Sequence, residues 1–586
     1  MILQSLCDYY RRQTEELPPP GFERKAIPFV IVLNRDGQLV DIEDTRSNSC
    51  KKQDKGRFFV VPQGVKRASG IAANLLWDVI GYVLGAVSET RAAKLDAVKL
   101  EKERVRTHET HAAFIQRIHD TFPDPVSDDG VRAVLAFLEQ GDFDGVFTHS
   151  LWPEMTKSTE PLSFRLDGDL ELICQREAVR RELMTKESTN STGLGRCLVT
   201  GDTGSIARLH TAIKGVRGAQ TSGANIISFN FAAACSYNKN QGMNSPVGES
   251  AVFAYTTALN TLLCSDSRQK MTVGQDTFIF WAEKTNPAEE QFAAWLQPDP
   301  DDPARGVEAV KALYKAPQTG VRPLDQDDTR FFVLGLAPNV ARLSIRLWNV
   351  TTVRELAANI RQHFDDLAMV RSDRDPEYLP LWRLLIATAA QGKSENIPPL
   401  LTGEALRAIL TRTTPYPQML LIATLQRIRA EQSKRDKKGH SVLNVNYERA
   451  ALLKAVLVRN ARFRNSLEKE INVSLDIENP NIGYRLGRLF AVLERIQEKA
   501  SPRLNATIRD RFYGAASATP ITAFPYLLKL KNHHLNHLTV GQKIWLENLI
   551  GQIMEPITHF PAHFSLDDQG RFAIGYYHQR HDFKKK

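Results

Sequence analysis

The stretch Arg330–Arg371, RFFVLGLAPNVARLSIRLWNVTTVRELAANIRQHFDDLAMVR, decides the reading of the fold. Arg330–Leu336 and Ala341–Val350 are rich in β-branched and aromatic residues and predict strands. From Thr352 onward the apolar residues recur at helical spacing instead. Towards the C-terminus, residues 352–371, 377–391, 402–413, 418–435, 444–460, 483–500 and 536–554 all carry that periodicity. A strand is expected again only in the short tail Phe572–Tyr577. Towards the N-terminus, strands and helices mix. Residues 1–13 predict a helix with Leu3, Leu6 and Tyr10 on one side, broken by Pro18-Pro19-Pro20-Gly21. Ile27–Leu33 and Gln38–Glu43 predict a hairpin around Asn34-Arg35-Asp36-Gly37. Arg57–Val61, Arg196–Thr200 and Phe278–Ala282 predict further strands, and 71–87 and 89–118 predict helices. Leu162–Leu166 and Leu170–Cys174 flank Asp167-Gly168-Asp169 as a second hairpin, and Pro298–Pro303 reads as a surface loop. The expected fold is an α+β part over 1–350 followed by an all-α helical bundle over 351–586, with no internal repeat.

The chain has 586 residues, enough for roughly two to four domains. Hydrophobic residues make up 42%, which supports sizeable cores and excludes global disorder. The net charge is +9, which favours an anionic partner, and nucleic acid is the commonest. Cys7, Cys50, Cys174, Cys197, Cys235 and Cys264 are scattered singly, so neither a zinc ribbon nor a disulfide framework is indicated. The N-terminal MILQSLCDYYRRQTEE lacks the basic and long apolar regions of a signal peptide, and no apolar run approaches the ~18 residues of a membrane span. A soluble, cytoplasmic protein is expected, with no membrane partner.

Sequence motifs for catalysis are weak. Ala387–Ser394, ATAAQGKS, resembles a P-loop but lacks its first glycine and follows a helical run. His581-Asp582 is a dipeptide found in metal phosphohydrolases, here without partner ligands. His533, His534 and His537 have no carboxylate or cysteine at ligand spacing, and His108 and His111 miss the HExxH spacing. No GxSxG elbow occurs. The expectation is no catalytic residue, no metal and no cofactor. A metal-dependent nuclease acting on DNA or RNA through scattered Asp and Glu residues and His581-Asp582 is the alternative.

Three segments suit nucleic acid. Gly215–Gly248, GVRGAQTSGANIISFNFAAACSYNKNQGMNSPVG, is rich in Gly, Ser, Asn and Gln, and its only formal charges are Arg217 and Lys239. Neutral amides both donate and accept, as base edges require, so Gln220, Asn225, Asn240, Gln241 and Asn244 are candidate contacts, joined by the Ser222 hydroxyl and the Lys239 cation. The same amides also cap turns. Pro62–Asn74 places Lys66, Arg67, Ser69 and Asn74 around glycine-permitted backbone before a predicted helix, either an anion-binding loop or an ordinary capped one. Between Ala405 and Arg464 the only acids are Glu431, Asp436 and Glu448, against 13 Lys and Arg. Arg427, Arg429, Lys434, Arg435, Lys437 and Lys438 in this run suit phosphate tracking, or a solvated face.

Several segments together resemble the large subunit of the type I-C CRISPR interference complex, a Cascade-type surveillance complex. They are MILQSLCDYY (1–10), KRASGIAANLLWD (66–78) with YVLG (82–85), GAQTSGANIISFN (218–230), SYNKNQGMNSPV (236–247), FAYTTALNTLL (253–263), TFIFWAE (277–283), LAPNVARLSIRLW (336–348), INVSLD (471–476) and GYRLGRLFAVLERIQ (483–497). The chain departs from the family's pattern at Tyr237-Asn238-Lys239-Asn240, where Gly and Glu are expected near Asn238 and Asn240. The resemblance implies a non-catalytic subunit at the guide RNA's 5′ handle, beside the handle-capping and backbone subunits. It implies recognition of a short motif (the PAM) in target double-stranded DNA, help in opening the duplex into an R-loop, and recruitment of a helicase-nuclease for antiviral defence. It also implies that the C-terminal helical part, about 460–586, is made separately as a small helical subunit supporting the displaced strand; a start near Val458–Leu467 would leave a compact helical product.

Overall fold

The computed structural model describes residues 1–586 except 14–16, 47–55, 66, 68–69, 123–126, 188–193, 297–302, 315–323, 325–326, 399, 413, 437–438, 465–470, 503–505 and 586. Lys66, Ser69, Cys50, Lys437, Lys438 and the proline loop after 297 therefore lie outside the described residues. The chain forms two packing units: 1–211 with 228–261, and 212–227 with 262–586.

In the first unit, α1 (Ile2–Arg12) precedes β1 (Phe22–Ala26), β2 (Phe29–Leu33), β3 (Leu39–Asp44), β4 (Phe58–Pro62) and β5 (Trp77–Asp78). The β2–β3 hairpin forms as its turn residues predict, because Asn34 Oδ1 accepts from the amides of Asp36 (3.0 Å) and Gln38 (2.8 Å). Short helices α2 (Ile80–Val83) and α3 (Glu89–Ala92) lead to α4 (Ala97–Thr121) and α5 (Asp129–Gln140). Asp96 caps α4 through the Lys99 amide (2.9 Å), so the single helix expected over 89–118 is broken before it. After α6 (Asp144–Phe147) and α7 (Trp152–Met155) comes β6 (Leu162–Leu166). The main sheet runs β3-β2-β6-β5, and Phe114 of α4 and Phe137 of α5 pack on Phe164 in its core.

Three further sequence expectations fail in this unit. Leu170–Cys174 is not a strand. Both edges of β6 are already taken, by β2 and β5. Arg176 pairs with Asp128 (2.9 Å) and Asp169, drawing the chain into α8 (Glu177–Glu187). Residues 71–87 are not one helix. Leu76 is left-handed (φ 60°), and Asp78 accepts the Asn74 and Val79 amides (2.9 and 2.8 Å), so these amides do not serve a helix. Arg196–Thr200 forms only the end of β7 (Leu194–Arg196), which pairs with β8 (Thr203–Ser205). The unit ends on α9 (Glu249–Leu262).

The second unit holds an antiparallel sheet of β9 (Lys270–Val273), β10 (Asp276–Ala282), β11 (Arg330–Asn339) and β12 (Arg342–Thr352), in order β12-β11-β10-β9. Between β10 and β11 lie α10 (Ala288–Leu296) and α11 (Pro303–Tyr314). At Thr352 the chain turns helical through a capping box: Thr352 Oγ1 accepts the Glu355 amide (3.2 Å), and Glu355 accepts the Thr352 amide (3.4 Å). The helices are α12 (Val353–Leu367), α13 (Leu381–Thr388), α14 (Leu401–Leu410), α15 (Gln418–Ala430), α16 (Tyr447–Phe463), α17 (Ile482–Ala500), α18 (Ile508–Ala518), α19 (Pro520–Leu535), α20 (Val540–Met554) and α21 (Leu566–Lys585). One apolar core runs from Phe280, Phe331 and Leu347 of the sheet through Leu356 and Leu453 to Phe490 and Phe572. The switch of secondary structure at 352 and the division of packing therefore do not coincide.

The strand expected at Phe572–Tyr577 lies inside α21. This helix meets α17 at backbone distance: a Cβ on Gly487 would lie 2.0 Å from the Phe572 carbonyl, and one on Gly575 2.1 Å from that of Tyr484. Every residue from Phe572 to Gln579 is then buried, so this part of the helix is enclosed on all its faces. Polar rungs cross the same pair. Tyr484 Oη bonds His578 Nδ1 (2.9 Å), Arg488 donates to Gln579 (3.1 Å), and Tyr576 donates to the fully buried Glu494. Burial lowers both His578 and His363 from 6.5 to about 3 and keeps them neutral.

Among the described residues no helix is long and apolar enough to cross a membrane, and no group of three His, Cys, Asp or Glu is placed to hold a metal ion. The P-loop-like stretch leaves the end of α13 in two 3₁₀ turns, with Gln391 left-handed (φ 59°). The five described cysteines are free, and burial pushes Cys7 to about 11 and Cys174 to about 12.

Candidate nucleic-acid interface

The loop from Pro62 to Asp78 is organised by one buried carboxylate. Asp78, 1% exposed, accepts the Asn74 amide and pairs with the Arg67 guanidinium. Arg67 also donates through Nε to the Ala72 carbonyl (2.6 Å) and lies 4.0 Å over the Tyr82 ring. Asn74 is buried, and its Oδ1 accepts the Val65 amide (3.0 Å). Both side chains thus hold the loop's shape. The helix that follows is the four-residue α2, too short to offer an N-terminal anion site.

The candidates of Gly215–Gly248 fall on different packing units. Gln220, Ser222 and Asn225 belong to the second. Gln220 and Ser222 are exposed. The Gln220 carbonyl accepts the Gly223 amide (2.9 Å), closing a turn. Asn225 exchanges backbone bonds with Ala341 and Leu343 (3.2 and 3.0 Å) and so joins the start of β12.

Lys239, Asn240, Gln241 and Asn244 belong to the first unit. Asn244 closes their loop. Its Oδ1 accepts the Ser236 amide (2.9 Å), and its Nδ2 donates to the carbonyls of Lys239 (2.9 Å) and Gln241 (3.0 Å). Its side chain is therefore occupied as a turn staple. Lys239 and Asn240 point to solvent.

The Lys- and Arg-rich helical run has a different character. Arg449, Lys454 and Arg459 are buried. Arg449 pairs with Glu431 (2.8 Å), while Arg459 and Arg462 share Asp366 (3.3 and 2.8 Å). Arg435 binds Asp510 (2.7 Å), Lys434 binds Glu431 (3.2 Å), Arg464 binds Asp567 (3.2 Å), and Arg429 donates to Gln569. Arg427 is half-buried and has no carboxylate partner among the described residues. Asp366, Asp510 and Asp567 come from α12, α18 and α21, so counting acids inside the run misses them.

The reverse holds from Thr203 to Gly248, where the sequence contains no Asp or Glu and carries Arg208, Lys214, Arg217 and Lys239. Among the described residues no carboxylate pairs with Arg208, Arg217 or Lys239. The aromatic residues here escaped the sequence reading of contacts. Tyr237 is 95% exposed and Phe231 48%. The absence of acids is the signal that marks this stretch.

Residues 6–584 match the model of a family described as CRISPR-associated protein (Cas_Csd1). No curated protein matches the chain.

Proposed function

The chain belongs to the Cas_Csd1 family of CRISPR-associated proteins, the type I-C large-subunit family that its sequence resembles, and on that premise we propose that it is the subunit that reads the PAM. It recognises this motif in duplex DNA beside the guide RNA's 5′ handle, helps to open the target, and recruits a helicase-nuclease, without catalysis of its own. It works in the cytoplasm, seated against the handle-capping and backbone subunits. The observation that carries the DNA-binding part is the acid-free stretch Thr203–Gly248, whose Arg208, Arg217 and Lys239 have no carboxylate partners among the described residues. Lys66 contacts phosphate and Ser69 the PAM at the Pro62–Asp78 loop, whose shape Arg67 and Asn74 hold through Asp78 and the Val65 amide. Gln220, Ser222, Asn225, Asn240 and Gln241 supply further polar contacts to DNA or the guide handle, the last two on the loop that Asn244 closes. In the helical part, Arg427, Arg429, Lys434, Arg435, Lys437 and Lys438 support the displaced strand, together with small subunits made from about 460–586.

The test is a gel-shift series with assembled complex against targets with a randomised flanking motif, repeated with labelled DNA and Mg²⁺ or Mn²⁺ in the absence of the helicase-nuclease. Flank-dependent binding without cleavage is expected. Binding indifferent to the flank would overturn PAM reading, and metal-dependent cleavage would overturn the non-catalytic role.

A further inference from the structure

The loop Phe231–Asn244 keeps a large aromatic side chain in water at the expense of its own backbone. Tyr237 is 95% exposed, and both it (φ 51°) and Asn238 (φ 57°) sit in the left-handed region, which a bulky residue rarely enters. Such a conformation persists only where its surroundings over-determine it. Here they do. Asn244 ties the Ser236 amide to the Lys239 and Gln241 carbonyls, and the Lys239 amide donates to the Ser236 carbonyl (2.9 Å). The base of the loop is pinned where the Gly242 amide donates to the Arg208 carbonyl (3.0 Å). A Cβ on Gly242 would lie 2.2 Å from the Ala207 carbonyl, so only glycine fits. Phe231 and Met243, 48% and 38% exposed, add apolar surface on the same loop.

Resting on the DNA-binding reading above, we propose that Tyr237 is a stacking platform for an unpaired nucleobase. A rigidly presented aromatic face with a nearby cation is what base stacking requires, and it tolerates any base because every base has a π-face. The charge around it selects the partner. Lys239 lies two residues away, Arg208 sits at the loop's base, and no Asp or Glu occurs between Thr203 and Gly248. A protein surface approaching the same loop would meet cations with no acid to match its own basic groups. The base comes either from the opened DNA target or from the guide RNA, since both present unpaired bases.

The experiment uses assembled complex containing the full chain, with the fluorescent base 2-aminopurine placed singly along the DNA next to the PAM or along the 5′ end of the guide RNA. Stacking quenches its emission. Quenching at one position is expected with the natural chain, to be lost with Tyr237→Ala and kept with Tyr237→Phe, with complex assembly unchanged. The strand that carries the quenched position identifies the source. Affinity of the Tyr237→Ala complex for that strand should fall roughly tenfold, within the ~1–3 kcal/mol that one stacked base contributes. Equal quenching with Tyr237→Ala at every position would overturn the proposal. So would failure of Tyr237→Ala to assemble with the other subunits, which would assign the tyrosine to protein docking. If the natural complex ignores the PAM but still quenches in the guide RNA, the PAM reading fails and the stacking role stands.

Discussion

The cation-rich helices between Ala405 and Arg464 and the sparsely charged stretch Thr203–Gly248 invert each other. The first carries 13 Lys and Arg, yet Arg449, Lys454 and Arg459 are buried, and Arg435, Arg462 and Arg464 are closed on acids from other helices. The second carries four, and Arg208, Arg217 and Lys239 face no carboxylate among the described residues. Charge density along a chain is therefore a poor measure of charge offered to a partner. What counts is which acids the fold brings alongside.

The largest effect that would sharpen this contrast is expected at Asp366, 1% exposed between Arg459 and Arg462. Asp366→Ala strands the buried Arg459 guanidinium and should cost about 3–5 kcal/mol, read by urea unfolding. A loss below about 1 kcal/mol would break the claim that these cations are internal.

Acid sensitivity follows next. His363 and His578 fall from 6.5 to about 3 in the folded chain, so between those pH values the unfolded state binds the extra protons. Stability is fully present above pH 6.5 and is lost as pH falls through that window, at up to about 1.4 kcal/mol per pH unit for each histidine. In urea titrations at pH 7, 6 and 5, His363→Gln should flatten the decline. An unchanged slope would mean that this histidine is protonated in the native state.

Neutralising 434, 435, 437 and 438 together should do two things. Losing Arg435 leaves Asp510 short of its main partner and should cost about 1–3 kcal/mol. The salt dependence of DNA binding should flatten by about one unit of slope for each phosphate left without its cation, with sequence preference little changed. A stability loss with an unaltered salt slope would make the run purely structural. The smallest stability change belongs to Arg208→Ala with Lys239→Ala: within about 0.5 kcal/mol in unfolding, because neither pairs with a carboxylate among the described residues. Its salt slope should nonetheless fall by up to about two units. A double variant that binds as before would remove the acid-free stretch from the interface.

The legible parts of the fold were those with local causes. The Asn34-Arg35-Asp36-Gly37 turn formed its hairpin, β10, β11 and β12 lie where aromatic and branched residues cluster, and α12 to α17 and α20 lie close to their expected ends, while α18 and α19 fill a stretch where no helix was expected. Where the sequence misled, a distant partner had the deciding vote. Phe572–Tyr577 has strand-forming residues but lies in α21 because Gly487 and Gly575 let α17 approach its backbone. Leu170–Cys174 lost its hairpin because β2 and β5 already occupy β6.

The same division applies to the candidate site. The sequence by itself established the α+β-then-helical order, a basic composition and the family resemblance over nearly the whole chain, because local propensity, summed charge and ordered motifs need no third dimension. Only the tertiary structure decided that Asn74 and Asn244 spend their side-chain bonds inside their own loops, that Asp366 and Asp510 neutralise a run whose neighbours in sequence are cations, and that Tyr237 stands in water. Burial and ion pairing are properties of neighbours in space, and the arginines that meet Asp366 and Asp510 lie 75 to 96 residues away along the chain.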